Sequence, residues 1–396
     1  MKKILFISKY ISVNLNGHQS RLATLIEYFK KNNYQVSTIT STASFKNNFF
    51  RKKYTYKKID NADYFFLKDL NNYSQYSLKR IFSWIYFEYL VFMFNYNNIR
   101  FKPDIIYISS LSLLTIINGI ILKKKFNAKL VFEMRDLIPF YFYTTKKFSK
   151  HNPLIIVLGL IEKYGIFKSD LVISLAPRIK RYLKYRGFVK KKFFASTFPL
   201  NKTLFTRVKT YKINLDKEKF NICYAGNFGL DNHLDDLLQL VSNMKSDLFV
   251  FHLIGKGSQK KFLKKKYSYF PNIKFYEHIP YSMLHSVLIQ MNCLVVSFGF
   301  NQKYPNFGYE LNKLNNYMMA NRPILALGSK KNLLKSRGEF FFVTKNNAYF
   351  FEKKINFIKN NYKFSLDVAR LNKLKILKRN KAKTIFENTA RQLERL

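Results

Sequence analysis

The stretch ICYAGNFGLDNHLDDLL, residues 222–238, decides the fold. An apolar run stops at Gly226-Asn227-Phe228-Gly229, and a helical stripe of Leu234, Leu237, Leu238 and Val241 follows, with Asn232 placed to cap it. A strand that enters a glycine turn and leaves it as a helix is a βα unit. The two glycines uncover backbone amides, and the positive end of the helix points back at the same turn, which suits an anionic guest. A tight turn with no guest has the same spelling.

Working outward, the same alternation continues in both directions. Downstream, strand patterns fall at 220–225, 248–254, 273–277, 293–298, 323–327 and 340–343, and the chain after 346 reads as helical to its end. Upstream, strands are expected at 2–8, 34–40, 64–67, 104–109, 129–133, 171–175 and 192–197. Leu22, Leu25, Ile26 and Phe29 form a helix stripe, and further helices are expected near 74–98, 110–124, 153–168 and 177–187. Residues 201–219 are polar and lack a period. The expectation is an α/β chain of two tandem Rossmann-like domains, doubly wound parallel sheets facing a cleft. They are placed at 1–200 and 220–364, joined by a linker at 201–219, with a helix at about 365–396 packing back toward the first.

Composition narrows the partners. Lys and Arg number 70 against 23 Asp and Glu, a formal charge of +47, which favours nucleic acid, an anionic membrane surface or phosphorylated small molecules. The chain is also crowded with Lys, Asn, Ile, Phe and Tyr, the residues an AT-rich genome over-supplies, so part of this charge carries no specific message. Cys223 and Cys293 both lie in strand-like runs and are expected to be buried packing residues. The apolar run of MKKILFISKY is too short for a secretory signal, and the best span candidates, 81–94 and 105–122, are interrupted by Glu88 and by Ser and Asn.

Several chemistries lack their spacing. The six histidines show no HExxH, the cysteines no CxxC, and there is no Gly-x-Ser-x-Gly elbow or Walker loop. No metal or cofactor is expected. A second glycine turn, Gly255-Lys256-Gly257, follows the strand FVFHLI. In NFGYELNKLNNYMMANRPILAL, residues 306–327, a helix starting near Glu310 sets Asn312, Lys313 and Asn316 in its first turns, where a lysine meets a phosphate as a point charge.

In their order, these segments resemble a known family. NGHQSRLATLIEYFKKNNYQVSTIT, LVFEMRDLIP, SDLVISLAPRIKRYLKYRG, YAGNFG, LIGKGSQKKFLKK and NKLNNYMMANRPIL are similar to glycosyltransferase family 4 (group 1) enzymes of the GT-B fold. The likeness is nearest to the bacterial branch that builds capsule, O-antigen or exopolysaccharide, and covers about residues 1–345. It implies retaining transfer of a hexosyl or N-acetylhexosaminyl group from a nucleotide-sugar to a lipid-linked or oligosaccharide acceptor, on the cytoplasmic face of the plasma membrane.

On the donor side it implies Gly226, Asn227, Gly229, Gly255, Gly257, Asn312, Lys313 and Asn316. Lys313 would face the diphosphate. On the acceptor side it implies Gly17, His18, Arg21, Arg135 and Asp136, with Lys313 and Asp136 in the catalytic roles. The family's ribose-binding acidic residue falls on Asn316, a glycine before the last Pro on Asn321, and a glutamate on Gly308. These departures leave an inactive homologue as an alternative. The basic-aromatic stretches 77–94 and 178–194 fit an anionic membrane surface. A nucleic-acid-binding protein is the rival that the charge permits, but no recognition motif accompanies it.

Overall fold

A computed structural model describes residues 2–13, 20–42, 54–59, 61–70, 78–110, 113–144, 148–200, 205, 209–244, 247–300, 307, 311–330 and 338–396. They divide into two units, Met1–Thr197 with Lys383–Leu396, and Phe198–Ala382.

The first unit is built on β1 (Lys3–Ile7), β2 (Gln35–Ser41), β3 (Tyr54–Ile59), β4 (Ala62–Leu67), β5 (Ile105–Ser110), β6 (Lys129–Met134), β7 (Leu171–Ser174) and β8 (Phe193–Ala195). Their order is β3-β4-β2-β1-β5-β6-β7-β8, parallel throughout except that β3 runs antiparallel to β4. β3 is the strand the sequence conceals: YTYKKI is largely exposed, with no buried run and only an edge partner. The central strands are the opposite case. Ile4, Leu5, Phe6, Ile7, Ile106 and Ile108 are fully buried, which a parallel strand covered on both faces requires.

Helices α1 (Arg21–Lys31), α2 (Leu78–Phe92), α3 (Thr115–Phe126), α4 (Phe140–Thr144), α5 (Pro153–Lys168) and α6 (Ile179–Tyr185) connect these strands. Ser20 caps α1, and the stripe Leu22, Leu25, Ile26 and Phe29 is buried.

The second unit has β9 (Phe220–Ala225), β10 (Phe249–Ile254), β11 (Ile273–Tyr276), β12 (Cys293–Ser297), β13 (Ile324–Leu327) and β14 (Phe341–Val343) in the all-parallel order β11-β10-β9-β12-β13-β14. This is the doubly wound order whose direction reverses between β9 and β12. Its helices are α7 (Leu234–Ser242), α8 (Lys260–Tyr267), α9 (Tyr281–Leu288), α10 (Asn312–Met319), α11 (Ala348–Asn360) and α12 (Tyr362–Arg379).

Alternation along β9 feeds two cores. Ile222 and Tyr224 pack with Leu234, Leu237 and Val241 on one face, and Cys223 and Ala225 pack with Leu314, Tyr317 and Ile376 on the other. Both cysteines are free and buried.

The described part of the segment expected as a linker belongs to the second unit. Ile213 is buried there, and the Tyr211 amide donates to Ser286 Oγ at 2.9 Å. The helix expected at 365–396 is two helices. Asn380, fully buried, ends the first by donating to Phe198 O at 2.8 Å, so α12 stays with the second unit. The next helix, α13 (Ala382–Glu394), joins the first unit, where Phe386 meets Tyr28 with ring centroids 5.6 Å apart.

Candidate functional site

In the second unit two glycine turns meet where β9 and β10 end. Gly226 N donates to Ile254 O at 3.0 Å, Phe228 N to Lys256 O at 2.9 Å and Gln259 N to Phe228 O at 2.9 Å. Gly255 has φ 142°, and a Cβ added there would stand 1.9 Å from Gly226 O. A Cβ on Gly257 would stand 2.6 Å from both Phe228 N and Asn227 Oδ1. These glycines exist because two backbones touch. Two of the amides that the sequence suggested for a guest are therefore spent between the turns. Gly255→Ala is expected to lower stability by about 2–3 kcal/mol, read as the urea unfolding midpoint, because backbone on both sides cannot yield.

Lys313, the second residue of α10, reaches this junction. Its Nζ donates to Tyr224 Oη at 3.0 Å and to Asn232 Oδ1, and lies 4.6 Å from the Tyr224 ring centroid. Tyr224 Oη in turn donates to Asn227 O at 2.7 Å, and a Cβ on Gly226 would be 3.4 Å from Lys313 Nζ. Each partner named is uncharged. Burial alone pushes the lysine down to about 7 from its ordinary 10.5. A cation held this way has room in its electrostatics for an incoming anion.

Asn232 therefore does not cap α7. The helix begins at Leu234 after a 3-10 turn, Leu230–Asn232, and His233 stands at its start in the left-handed region, φ 45°, with no side-chain cap bond. Gly299, just beyond β12, passes so close that a Cβ there would be 2.8 Å from the His233 ring. The turn after β9 and the end of β12 thus flank the point where strand order reverses, the place where doubly wound sheets bind ligands.

Other expected donor-side residues divide by exposure. Asn312 opens α10 and is exposed, whereas Asn316 is buried and its Oδ1 accepts from Tyr281 Oη at 2.9 Å. Tyr317 anchors the helix to β9, accepting from Ala225 N at 2.8 Å and donating to Ala225 O at 3.2 Å. A Cβ on Gly229 would fall 2.9 Å from Asn227 Nδ2. Asn321, where the resembled family has a glycine, adopts φ 56°, a left-handed conformation that asparagine tolerates. Gly308 lies outside the described residues.

In the first unit, Arg135 and Asp136 follow β6 directly, half-buried and exposed respectively. Gly17 and His18 lie outside the described residues. Arg21 is committed inward. It pairs with Glu133, donates to Ser196 Oγ at 2.9 Å and to Thr197 O at 3.3 Å, and both charged side chains are almost fully buried. This joins the start of α1 to β6 and to the segment after β8, and takes up the guanidinium expected for an acceptor.

A second buried charge, Lys9, escaped the sequence reading. Two residues beyond β1, it donates to Asp69 Oδ1 at 2.9 Å and to Ser83 O at 2.6 Å. Its only signal is a lysine just past an apolar strand.

Comparison with solved structures decides the architecture. Sucrose-phosphate synthase from Thermosynechococcus elongatus superposes over 100% of this chain and 99% of its own, with TM-score 0.71 and 13% identity. HepE from Anabaena in complex with UDP-glucose matches over 100% of both chains, with TM-score 0.66 and 13% identity. The lipopolysaccharide outer core galactosyltransferase WaaB matches over 100% of both, with TM-score 0.58 and 14% identity. The fold is GT-B. No protein-family model and no curated protein sequence matches the chain. In GT-B terms the second unit, with its reversal between β9 and β12, carries the junction of Lys313 and the two glycine turns.

Proposed function

We propose that this GT-B chain is a glycosyltransferase that moves a hexosyl or N-acetylhexosaminyl group from a nucleotide-sugar to a lipid-linked or oligosaccharide acceptor. The observation that carries the reading is Lys313: a partly buried amine with uncharged partners, at the strand-order reversal, beside two crossing glycine turns. That site suits an anion, and a diphosphate fits. The solved neighbours with UDP and UDP-glucose support a nucleotide-sugar as the molecule that brings it.

In this reading the diphosphate lies at the 226–229 turn, and Lys313 balances the charge that grows on it as the sugar departs. Such preorganised stabilisation is worth several kcal/mol. The glycosyl bond to the diphosphate oxygen breaks and one to the acceptor oxygen forms on the same face of the sugar. The leaving diphosphate takes the acceptor proton, giving retention without a pair of catalytic carboxylates. Asp136 orients acceptor hydroxyls, with Arg135 beside it. Asn312 and Asn316 serve the donor, Asn316 through the hydroxyl of Tyr281 as well as its own amide. The order of segments supports the family 4 branch of surface-polysaccharide enzymes, working at an anionic, cytoplasmic membrane face. A nucleic-acid partner is not part of the proposal.

Thermal shifts with UDP-, GDP- and dTDP-sugars test the donor class. A ligand at about 100 times its Kd adds about 2.7 kcal/mol of stability. One nucleotide series is expected to stabilise the chain, and indifference to all of them overturns the reading.

A further inference from the structure

In the first unit one face of the sheet is covered by most of the helices. From β1 through β2 to β4 the chain steps toward one sheet edge, and from β5 to β8 it steps toward the other. Right-handed crossovers then put α2, α3, α5 and α6 on one side of the sheet and α1 on the opposite side. Side-chain contacts agree. Glu88 of α2 accepts from Thr115 Oγ1 at 2.5 Å and Asn118 Nδ2 at 2.8 Å of α3, and a Cβ on Gly165 of α5 would lie 2.7 Å from Ile116 of α3.

These three helices are apolar twice over. Phe87 and Val91 of α2, Ile116 of α3 and Ile166 of α5 turn to the core, yet a second set turns to solvent. Phe82, Phe92, Leu160 and Phe167 are 60–64% exposed, with Ile117 of α3 between them at 45%. One soluble helix stripe explains the first set and not the second.

Charge names the occupant. The only acidic residues in α2, α3, α5 and α6 are Glu88 and Glu162, and both face inward; Glu162 is fully buried against Tyr182 and Arg186. Lys79, Lys124, Lys125, Lys163 and Lys168 belong to the same helices, which carry no exposed carboxylate among their described residues. A second copy of a chain of charge +47 would bring two such basic borders together, whereas anionic headgroups neutralise them. No described helix is long and apolar enough to cross a membrane, so the fit is shallow, apolar side chains among the acyl boundary and lysines among headgroups.

We infer that the α2-α3-α5 face seats this protein on an anionic lipid bilayer. The basic-aromatic stretch 178–194 contributes less than its sequence suggested, since Ile179, Tyr182 and Leu183 are buried; α5, which spells like a core helix, contributes most. The inference deepens the membrane partner of the proposed function and rests on that reading only in the choice of lipid.

The test is co-sedimentation of the full chain with vesicles of phosphatidylcholine alone or with about a third phosphatidylglycerol, at about 0.1 and about 0.5 M salt. Expected is binding to the anionic vesicles that falls with salt and drops roughly tenfold or more in Leu160→Glu/Phe167→Glu, a variant of exposed positions whose unfolding midpoint is measured alongside. Unchanged binding by that variant overturns the inference. So does a wild-type chain that ignores anionic vesicles, or one that sediments as a dimer which the variant dissociates. No donor or acceptor enters the assay, so its failure leaves the transferase reading intact, and failure of the thermal shifts leaves this one intact.

Discussion

Lys313→Met is expected to lower sugar transfer by roughly 100-fold or more while the protein stays folded. Methionine preserves the aliphatic stem against Tyr224 and removes the charge together with its hydrogen bonds to Tyr224 and Asn232, so a loss of turnover reports on the polar head and not on packing. The same residue sets a pH dependence. Its folded-state value is lowered to about 7, and a bound diphosphate needs the charged form. Under the proposed function UDP binding is expected to take up a proton above neutrality, with affinity falling by up to about tenfold per pH unit as pH rises from 7.

The stability of the unliganded protein moves the other way. The unfolded lysine keeps its proton up to its ordinary value, so between about 7 and 10.5 the unfolded chain binds more protons and stability rises with pH. Calorimetric titration of UDP at several pH values, in wild type and Lys313→Met, checks both signs. Equal pH slopes in the two proteins would remove Lys313 from the site.

Arg21→Met is expected to cost about 3–5 kcal/mol of stability, because it strands the Glu133 carboxylate, which has no exposed surface, without its cation. Arg21→Met/Glu133→Leu is expected to recover most of that loss, since a buried ion pair replaced by apolar groups of similar size is often neutral. Urea unfolding of both variants decides the matter. If the single variant were as stable as wild type yet bound acceptor poorly, the residue would return to the acceptor side where its sequence position suggested it belonged. The buried geometry argues for the structural role: each of the three guanidinium nitrogens is already engaged, with Glu133, Ser196 and Thr197.

Some of this was legible in residue order. Apolar runs of β1, β5, β9 and β12 are buried on both faces, so their continuous spelling carried through to parallel strands. Gly255 was readable as an opener of a βα turn. That its missing side chain makes room for the carbonyl of Gly226 was not, because the two residues meet only once β9 and β10 pair. β3 was illegible for the converse reason: an antiparallel edge strand buries little and so needs no apolar period.

Local sequence by itself determined the βα alternation, the two sheets and the glycine turns, since each rests on hydrophobic periodicity and backbone freedom within a few residues. Tertiary structure alone decided which charges are sheltered together. Lys313 meets Tyr224 and Asn232 across 89 and 81 residues, and Arg21 meets Glu133 across 112. The desolvation that turns a common surface residue type into a buried cation depends on what the rest of the chain brings around it.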